Sequence, residues 1–346
     1  MNVDYIIVGF GLAGLAFAET LSKNKKSFMV FEDNSQNSSL VAGGVYNPVI
    51  LKRFTPVWDA IDQLKIAIPF YSDLEKKFKK KFNQTFNIQR VFASIEEQNN
   101  WFNACDKTFF TEYMVPEVIK NNNEHINAPL GFGKLINTGK IETQVLLKEY
   151  KAYLANKDAI QFEEFEYALL KFDDYSVSFK DIKAKYVVFC EGFGVKKNPY
   201  FKNIPLKEAK GELLTIHAPE LKIDFLLKSS IFIMPLGNDH YKVGATFNWT
   251  DKTLLPTEEG KEELLTKLKK IITAKFEVVD QIAGIRPTVK DRRPILGKHH
   301  RYEQLAILNG LGTRGVMLAP KMAEKLFNHL ENNYPLDKEI SITRFD

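Results

Sequence analysis

The chain is short of the residues that hold small or metal-dependent folds together. Its 346 residues include only two cysteines, Cys105 and Cys190. Two thiols this far apart, without C-x-x-C spacing, exclude a disulfide framework and a thiolate metal cluster, so no metal site is expected. The expectation is reduced thiols in a cytoplasmic protein. Long apolar runs are also missing, and no stretch approaches the roughly 20 residues of a membrane-spanning helix. The opening residues enter a strand directly, so a signal peptide is not expected. There is no low-complexity tract and no internal repeat. Net charge is small: 48 basic against 43 acidic residues leave +5, a surface that tolerates anions without demanding nucleic acid. The six histidines suggest no catalytic set. His299-His300 read as a surface turn, and His240 follows the turn residues Asn238-Asp239.

What is present begins at once. Ile6-Ile7-Val8 is an apolar run suited to a strand covered on both faces. It leads into Gly9-Phe10-Gly11-Leu12-Ala13-Gly14, a G-x-G-x-x-G turn opening a helix. The first glycine of such a turn permits the bend. The second lets backbone approach a pyrophosphate, and the third lets the helix pack close to its strand. The helix start adds free N–H groups and a positive dipole end. A second strand, Phe28–Phe31, ends at Glu32-Asp33, about where a dinucleotide site places an acid for a ribose hydroxyl. Ala42-Gly43-Gly44 reads as a loop pressed against something flat.

Further along, a helical region over about 56–82 ends in a lysine run, Lys76 to Lys81. It reads as a solvated helix face with Phe78 and Phe82 buried one turn apart, or as a nucleic-acid or membrane patch. Residues 86–135 give short strands and loops. A helix is expected from Thr143 to Ala155, then strands ending in Tyr186–Cys190, whose apolar run delivers Glu191-Gly192 to a ligand. Residues 211–249 alternate as antiparallel strands broken at Gly237-Asn238. An amphipathic helix carrying Leu264, Leu265, Leu268, Ile271 and Ile272 follows Glu258-Glu259. Near the C-terminus, Leu305–Asn309 runs into Gly310-Leu311-Gly312-Thr313-Arg314-Gly315 and a helix from about Val316 to Leu330. This second glycine turn at a helix start favours FAD over a nicotinamide cofactor. A flavin has two places wanting such treatment, its pyrophosphate and the ring edge where charge develops on reduction. The fold expected is α/β: a discontinuous Rossmann-like FAD-binding domain (1–85, 140–205 and 283–346) with an antiparallel-sheet α+β substrate domain (86–139 and 206–282).

These motifs together with Lys210-Gly211-Glu212, Gly244-Ala245-Thr246, Gly284-Ile285-Arg286-Pro287 and Asp291 to Gly297 resemble the D-amino-acid oxidase superfamily of FAD-dependent amine oxidoreductases. The likeness spans the chain, most weakly over about 50–140. It implies transfer of a hydride from an amine-bearing carbon to flavin N5, the imine then being hydrolysed, with O₂ or another acceptor reoxidising the flavin. The substrate implied is a small amine or amino acid. Arg286 is the candidate to grip its carboxylate, or else it pairs with a carboxylate such as Asp291. Arg314, inside the second turn, is a candidate near flavin or substrate. Phe232 stands where glycine oxidase has a substrate tyrosine. Lys242 shares a strand face with Gly244 and is either a flavin-facing cation that activates O₂, as in sarcosine oxidase, or a solvent-facing lysine. Neither cysteine lies in a flavin-tethering motif, so FAD is expected to be non-covalent. The Gly310–Gly315 stretch is similar to the flavin domain of the bifunctional enzyme that matures 5-methylaminomethyl-2-thiouridine in tRNA. That makes action on a modified uridine in tRNA the alternative, and a non-catalytic flavin-binding protein a second one.

Overall fold

The computed structural model describes residues 1–345, and two large sheets organise it. In the first, parallel strands run in the order Ile160–Gln161, Phe28–Phe31, Asn2–Val8 and Ile182–Phe189. The long strand Ile182–Phe189 has two partners on its other edge. Its first half pairs antiparallel with Val177–Phe179, and its second half pairs parallel with Leu305–Asn309. Period-two alternation splits the apolar runs between two cores, as a sheet covered on both faces requires. Tyr5, Ile7 and Val188 pack with the helices Leu12–Lys23, Ala60–Phe78 and Gly315–Asn332. Ile6, Val8 and Val187 pack with Phe165, Phe179 and Phe201 on the opposite face.

The register aligns Val8 with Phe31 and Phe189, and Phe189 with Ile307. Four strands therefore end side by side, and each hands the chain to a loop named above: Gly9, Glu32, Cys190-Glu191 and Gly310. Ligands bind at such a carboxyl edge in open parallel sheets.

The second sheet has eight strands, in the order Glu277–Val289, Leu206–His217, His240–Gly244, Phe232–Gly237, Leu226–Lys228, Ile88–Val91, Phe132–Leu135 and Met114–Ile119. All its pairings are antiparallel except that of Leu226–Lys228 with Ile88–Val91. Strand Glu277–Val289 runs straight through the boundary expected at 282/283. One face of this sheet, including Leu214, Val243, Ile233 and Leu227, is sealed by Leu264 and Leu268 of helix Glu258–Leu268. The other face looks toward the first sheet.

Three local readings are corrected. Residues 86–135 contain a helix, Ile95–Cys105, started by Ser94, whose side chain accepts from the Glu97 N–H while Glu97 accepts from Ala93 N–H. The signal was the S-x-x-E capping box. Helix Ala60–Phe78 stops where Lys79 turns left-handed (φ 52°), so Phe82 lies beyond it, though its ring still meets Phe78 edge-on at 6.1 Å. Likewise Ile271 and Ile272 are buried after, not within, the helix ending at Leu268. No helix of the described residues is long and apolar enough to cross a membrane.

Candidate functional site

Between the carboxyl edge of the first sheet and the open face of the second lies a cavity of about 550 Å³. At one end is the first glycine turn. Gly9 has φ +89°, and a Cβ there would stand 2.8 Å from the Cys190 carbonyl oxygen. A Cβ on Gly14 would overlap the Gly9 carbonyl, so helix and strand pack at backbone contact. Gly14 thus sits behind the wall while Gly9, Phe10, Gly11, Leu12 and Ala13 line it. Glu32 is buried at the end of its strand; its carboxylate accepts from the Phe10 and Asn34 N–H groups and from Lys151 at 3.2 Å. Asp33 lines the same end.

The middle of the cavity is bounded by Ala42, Gly43 and Gly44 on one side and Glu191-Gly192 on the other. Gly44 (φ +68°) packs against the Ile141 carbonyl too closely for any Cβ. Glu191 is buried, and burial pushes its carboxyl up to about 7 although Tyr167 and Asn198 both donate to it. The Gly192 carbonyl accepts from Asn309 Nδ2 at 2.8 Å, which ties this loop to the second glycine turn.

In that second turn Gly310 and Gly312 take φ +75° and +57°. Gly310 lies behind the wall against Val289; Leu311, Gly312, Thr313, Arg314 and Gly315 line the cavity. Arg314 immediately precedes the final helix, and burial lowers its guanidinium pKa, Arg292 adding to the effect. The amide N–H groups of Gly11, Ala13, Thr313 and Gly315 have no acceptor among the described residues. Two glycine turns with free donors, a buried acid at the second strand's end and backbone too close for side chains fit a dinucleotide-linked flavin.

The opposite wall comes from the second sheet. Arg286 projects from strand Glu277–Val289 over Gly211, where any Cβ would overlap its guanidinium. It lies 4.4 Å from the centroid of the Phe247 ring and donates to the Thr246 carbonyl at 3.4 Å. Burial brings its pKa down to about 10. No carboxylate pairs with it among the described residues, and Asp291 is engaged by Arg344 at 2.9 Å instead. The pairing of Arg286 with Asp291 is therefore corrected. A part-buried guanidinium bonded to one carbonyl retains free donors for a ligand. Phe232 lines the cavity as well.

Lys242 does not line the cavity; burial lowers its pKa, and its charged neighbours are Lys140, Glu142 and Asp280. Lys210, fully buried, ion-pairs with Asp251 and Glu212. His299 is buried, not in a surface turn, and its Nδ1 accepts from the Arg301 and Tyr302 N–H groups. His240 is bound to the Asn238 carbonyl. The lysine run spans the helix end and the turn after it, and four of its lysines pair with carboxylates: Lys76 with Asp73, Lys77 with Glu19, Lys80 with Glu149 and Lys81 with Glu75. Burial raises both thiols, Cys105 to about 11 and Cys190 further.

One lining residue carried no sequence signal. Lys228 lines the wall, as do the cations Arg286, Arg314, Lys52 and Lys197. Only the pairing of distant strands brings it there.

The family described as DAO, FAD dependent oxidoreductase, matches residues 4–328. Glycine oxidase of Bacillus subtilis (strain 168) is 27% identical, the alignment covering 92% of this chain and 90% of that protein. A tRNA 5-methylaminomethyl-2-thiouridine biosynthesis bifunctional protein of Marinobacter nauticus is 20% identical over 94% of this chain, which spans 55% of that relative's length. Among solved structures, glycine oxidase from Bacillus cereus ATCC 14579 shares the fold with a TM-score of 0.79 at 17% identity, covering 96% of each chain.

Proposed function

The chain belongs to the FAD-dependent oxidoreductase family, and from that premise we propose that it oxidises the C–N bond of a small amine or amino acid. The observation that carries this reading is Arg286, a part-buried guanidinium on the cavity wall with no carboxylate of its own among the described residues. Such a group favours an anionic ligand, because water competes less for its donors than at the open surface.

FAD, when bound, supplies the two-electron acceptor for a hydride leaving the amine-bearing carbon. The residues that would hold it non-covalently are Gly9 to Gly14, Glu32 and Asp33, Ala42 to Gly44, Glu191-Gly192 and Gly310 to Gly315. Arg286 grips the substrate carboxylate through its free donors while the Phe247 ring keeps the guanidinium plane fixed. Arg314 adds positive potential from the other side of the cavity. Lys242, outside the lining, acts at most through the field of its ammonium. The acceptor that reoxidises the flavin is O₂ or another carrier.

The test is an anaerobic screen of amino acids and N-methylated amines against the flavin-loaded protein. At least one small substrate bleaches the flavin, and Arg286→Ala slows that bleaching at least 100-fold at low substrate, about 2.7 kcal/mol. If no member of the panel reduces the flavin, the reading fails.

A second reading, action on a modified uridine side chain in tRNA, is favoured by two aromatic rings at this wall. Phe247, which lines the cavity, and Trp249 beside it in sequence are each more than half exposed and offer faces on which a base could stack. It requires salt-sensitive tRNA binding. No gel shift at low salt removes it. The paired lysines of the Lys76–Lys81 run do not supply that surface.

A further inference from the structure

We propose that Lys228 forms a second anion subsite in the cavity, so that the preferred substrate carries a carboxylate or phosphate at the end remote from the group held by Arg286. The proposal rests on the amine-oxidation reading for the word substrate, and on geometry for the subsite.

Register puts Lys228 on the wall. Lys228 pairs with Phe232, Phe232 with Gly244, and Gly244 with Leu213 across four adjacent strands. Directly paired residues share a sheet face, and successive residues alternate faces. The neighbouring row, Leu227, Ile233, Val243 and Leu214, is packed into the apolar core on the far side. Lys228, Phe232, Gly244 and Leu213 all line the cavity accordingly. The sequence hides this, because Lys228 sits in a short strand whose neighbours are fixed only by long-range pairing.

Nothing among the described residues compensates its charge. No ion pair or hydrogen bond holds the Lys228 ammonium among the described residues, and the charges that lower its pKa are themselves cations, Arg90 and Lys267. Arg90 is spent on Glu97 and on the Ser229 carbonyl, and Lys267 on Glu263. Desolvation brings the Lys228 pKa down to about 8. An uncompensated, partly desolvated cation is costly unless a ligand pairs with it.

Lys228 is also far from Arg286. Four strand spacings separate their strands, roughly 19 Å at the usual interval, less the reach of two long side chains. A single small carboxylate cannot bridge that gap, whereas a molecule with anionic groups at both ends can.

The test uses the flavin-loaded protein and probes the flavin cannot oxidise, read by perturbation of the flavin's visible spectrum and by calorimetry. The probes are saturated monocarboxylates and α,ω-dicarboxylates of four to eight carbons, with ω-phosphonocarboxylates of the same lengths. Wild-type protein binds the best dianion at least tenfold more tightly than the matched monocarboxylate. Lys228→Met and Lys228→Gln erase that preference at unchanged flavin content, and Lys228→Arg keeps it. The arm with the larger preference tells carboxylate from phosphate. Equal affinity for monoanion and dianion in wild-type protein overturns the subsite. So does a preference that survives in both Lys228→Met and Lys228→Gln, or a Lys228→Met protein whose unliganded flavin spectrum shifts while its ligand preference does not. If the subsite is present and no amine bleaches the flavin, only the amine-oxidation reading fails.

Discussion

The two glycine turns look alike in sequence and are built on different physics. In the first, the glycines are demanded by contact, with no room for a methyl group: Gly9, which also takes φ +89°, lies against Cys190, and Gly14 against the Gly9 carbonyl. In the second, Gly312 has open space around it, a Cβ there meeting nothing nearer than Thr288 at 3.7 Å, and glycine is required by φ +57° alone. The first turn is a packing joint between strand and helix. The second is at Gly312 a conformational device that aims backbone N–H groups and brings Arg314 with it, while its Gly310 is also pressed against Val289. A shared motif therefore does not imply a shared tolerance to mutation.

The difference can be broken most severely at Gly14. Gly14→Ala forces a methyl group into a backbone carbonyl that no rotamer change can move. We expect a loss of at least about 3 kcal/mol and under a tenth of the wild-type flavin content. Near-normal flavin content in that variant would show that the joint has slack.

Glu191 follows Cys190, the residue against which Gly9 packs, and adds a pH dependence to that side. Its carboxyl moves from the usual 4.5 up to about 7 because burial disfavours the charged form. The stability it contributes is full below pH 4.5 and is lost as pH rises through 7, in total about 3 kcal/mol. Glu191→Gln should flatten the fall in melting temperature between pH 5 and 8. An unchanged slope would mean that Glu191 does not titrate in this range.

At Gly312 the effect should be smaller. Gly312→Ala costs about 1–2 kcal/mol for the left-handed conformation and still yields folded, flavin-loaded protein. The smallest effect tests Gly11, whose Cβ would stand 2.9 Å from Ser39 Oγ, the acceptor of the Leu12 N–H. Ser39→Ala loses about 1 kcal/mol with that hydrogen bond. Adding Gly11→Ala to it should cost less than adding Gly11→Ala to the wild type, a coupling that a double-mutant cycle reads in melting temperature.

What could be read from the sequence follows the range of the interactions. Strand-turn-helix junctions are local, so Gly9 to Gly14, Glu32 and Gly310 to Gly315 were visible from spacing and apolar runs alone. Helix Thr143–Ala155 matches its expected span for the same reason. The helix at Ile95–Cys105 was equally local, but its only clear marker was the capping box at Ser94 to Glu97, since charged and amide residues fill its first turns. The partner of Asp291 depended on Arg344 folding back across 53 positions, which no spacing rule reveals. The same holds for Lys228, which reaches the cavity through sheet register, and for Phe247, which the loop after strand His240–Gly244 carries to Arg286. Lys242 shows the converse. Alternation along its strand does not say how far the cavity extends toward that end of the sheet.

The central claim is that both turns close around one non-covalent FAD. Its most direct test is to denature the purified protein, remove the polypeptide and quantify the flavin left in solution. The account predicts close to one FAD per chain in the soluble fraction, and none remaining on the precipitated protein. Colourless protein that takes up no FAD on reconstitution, or flavin that stays attached to the denatured chain, would contradict it.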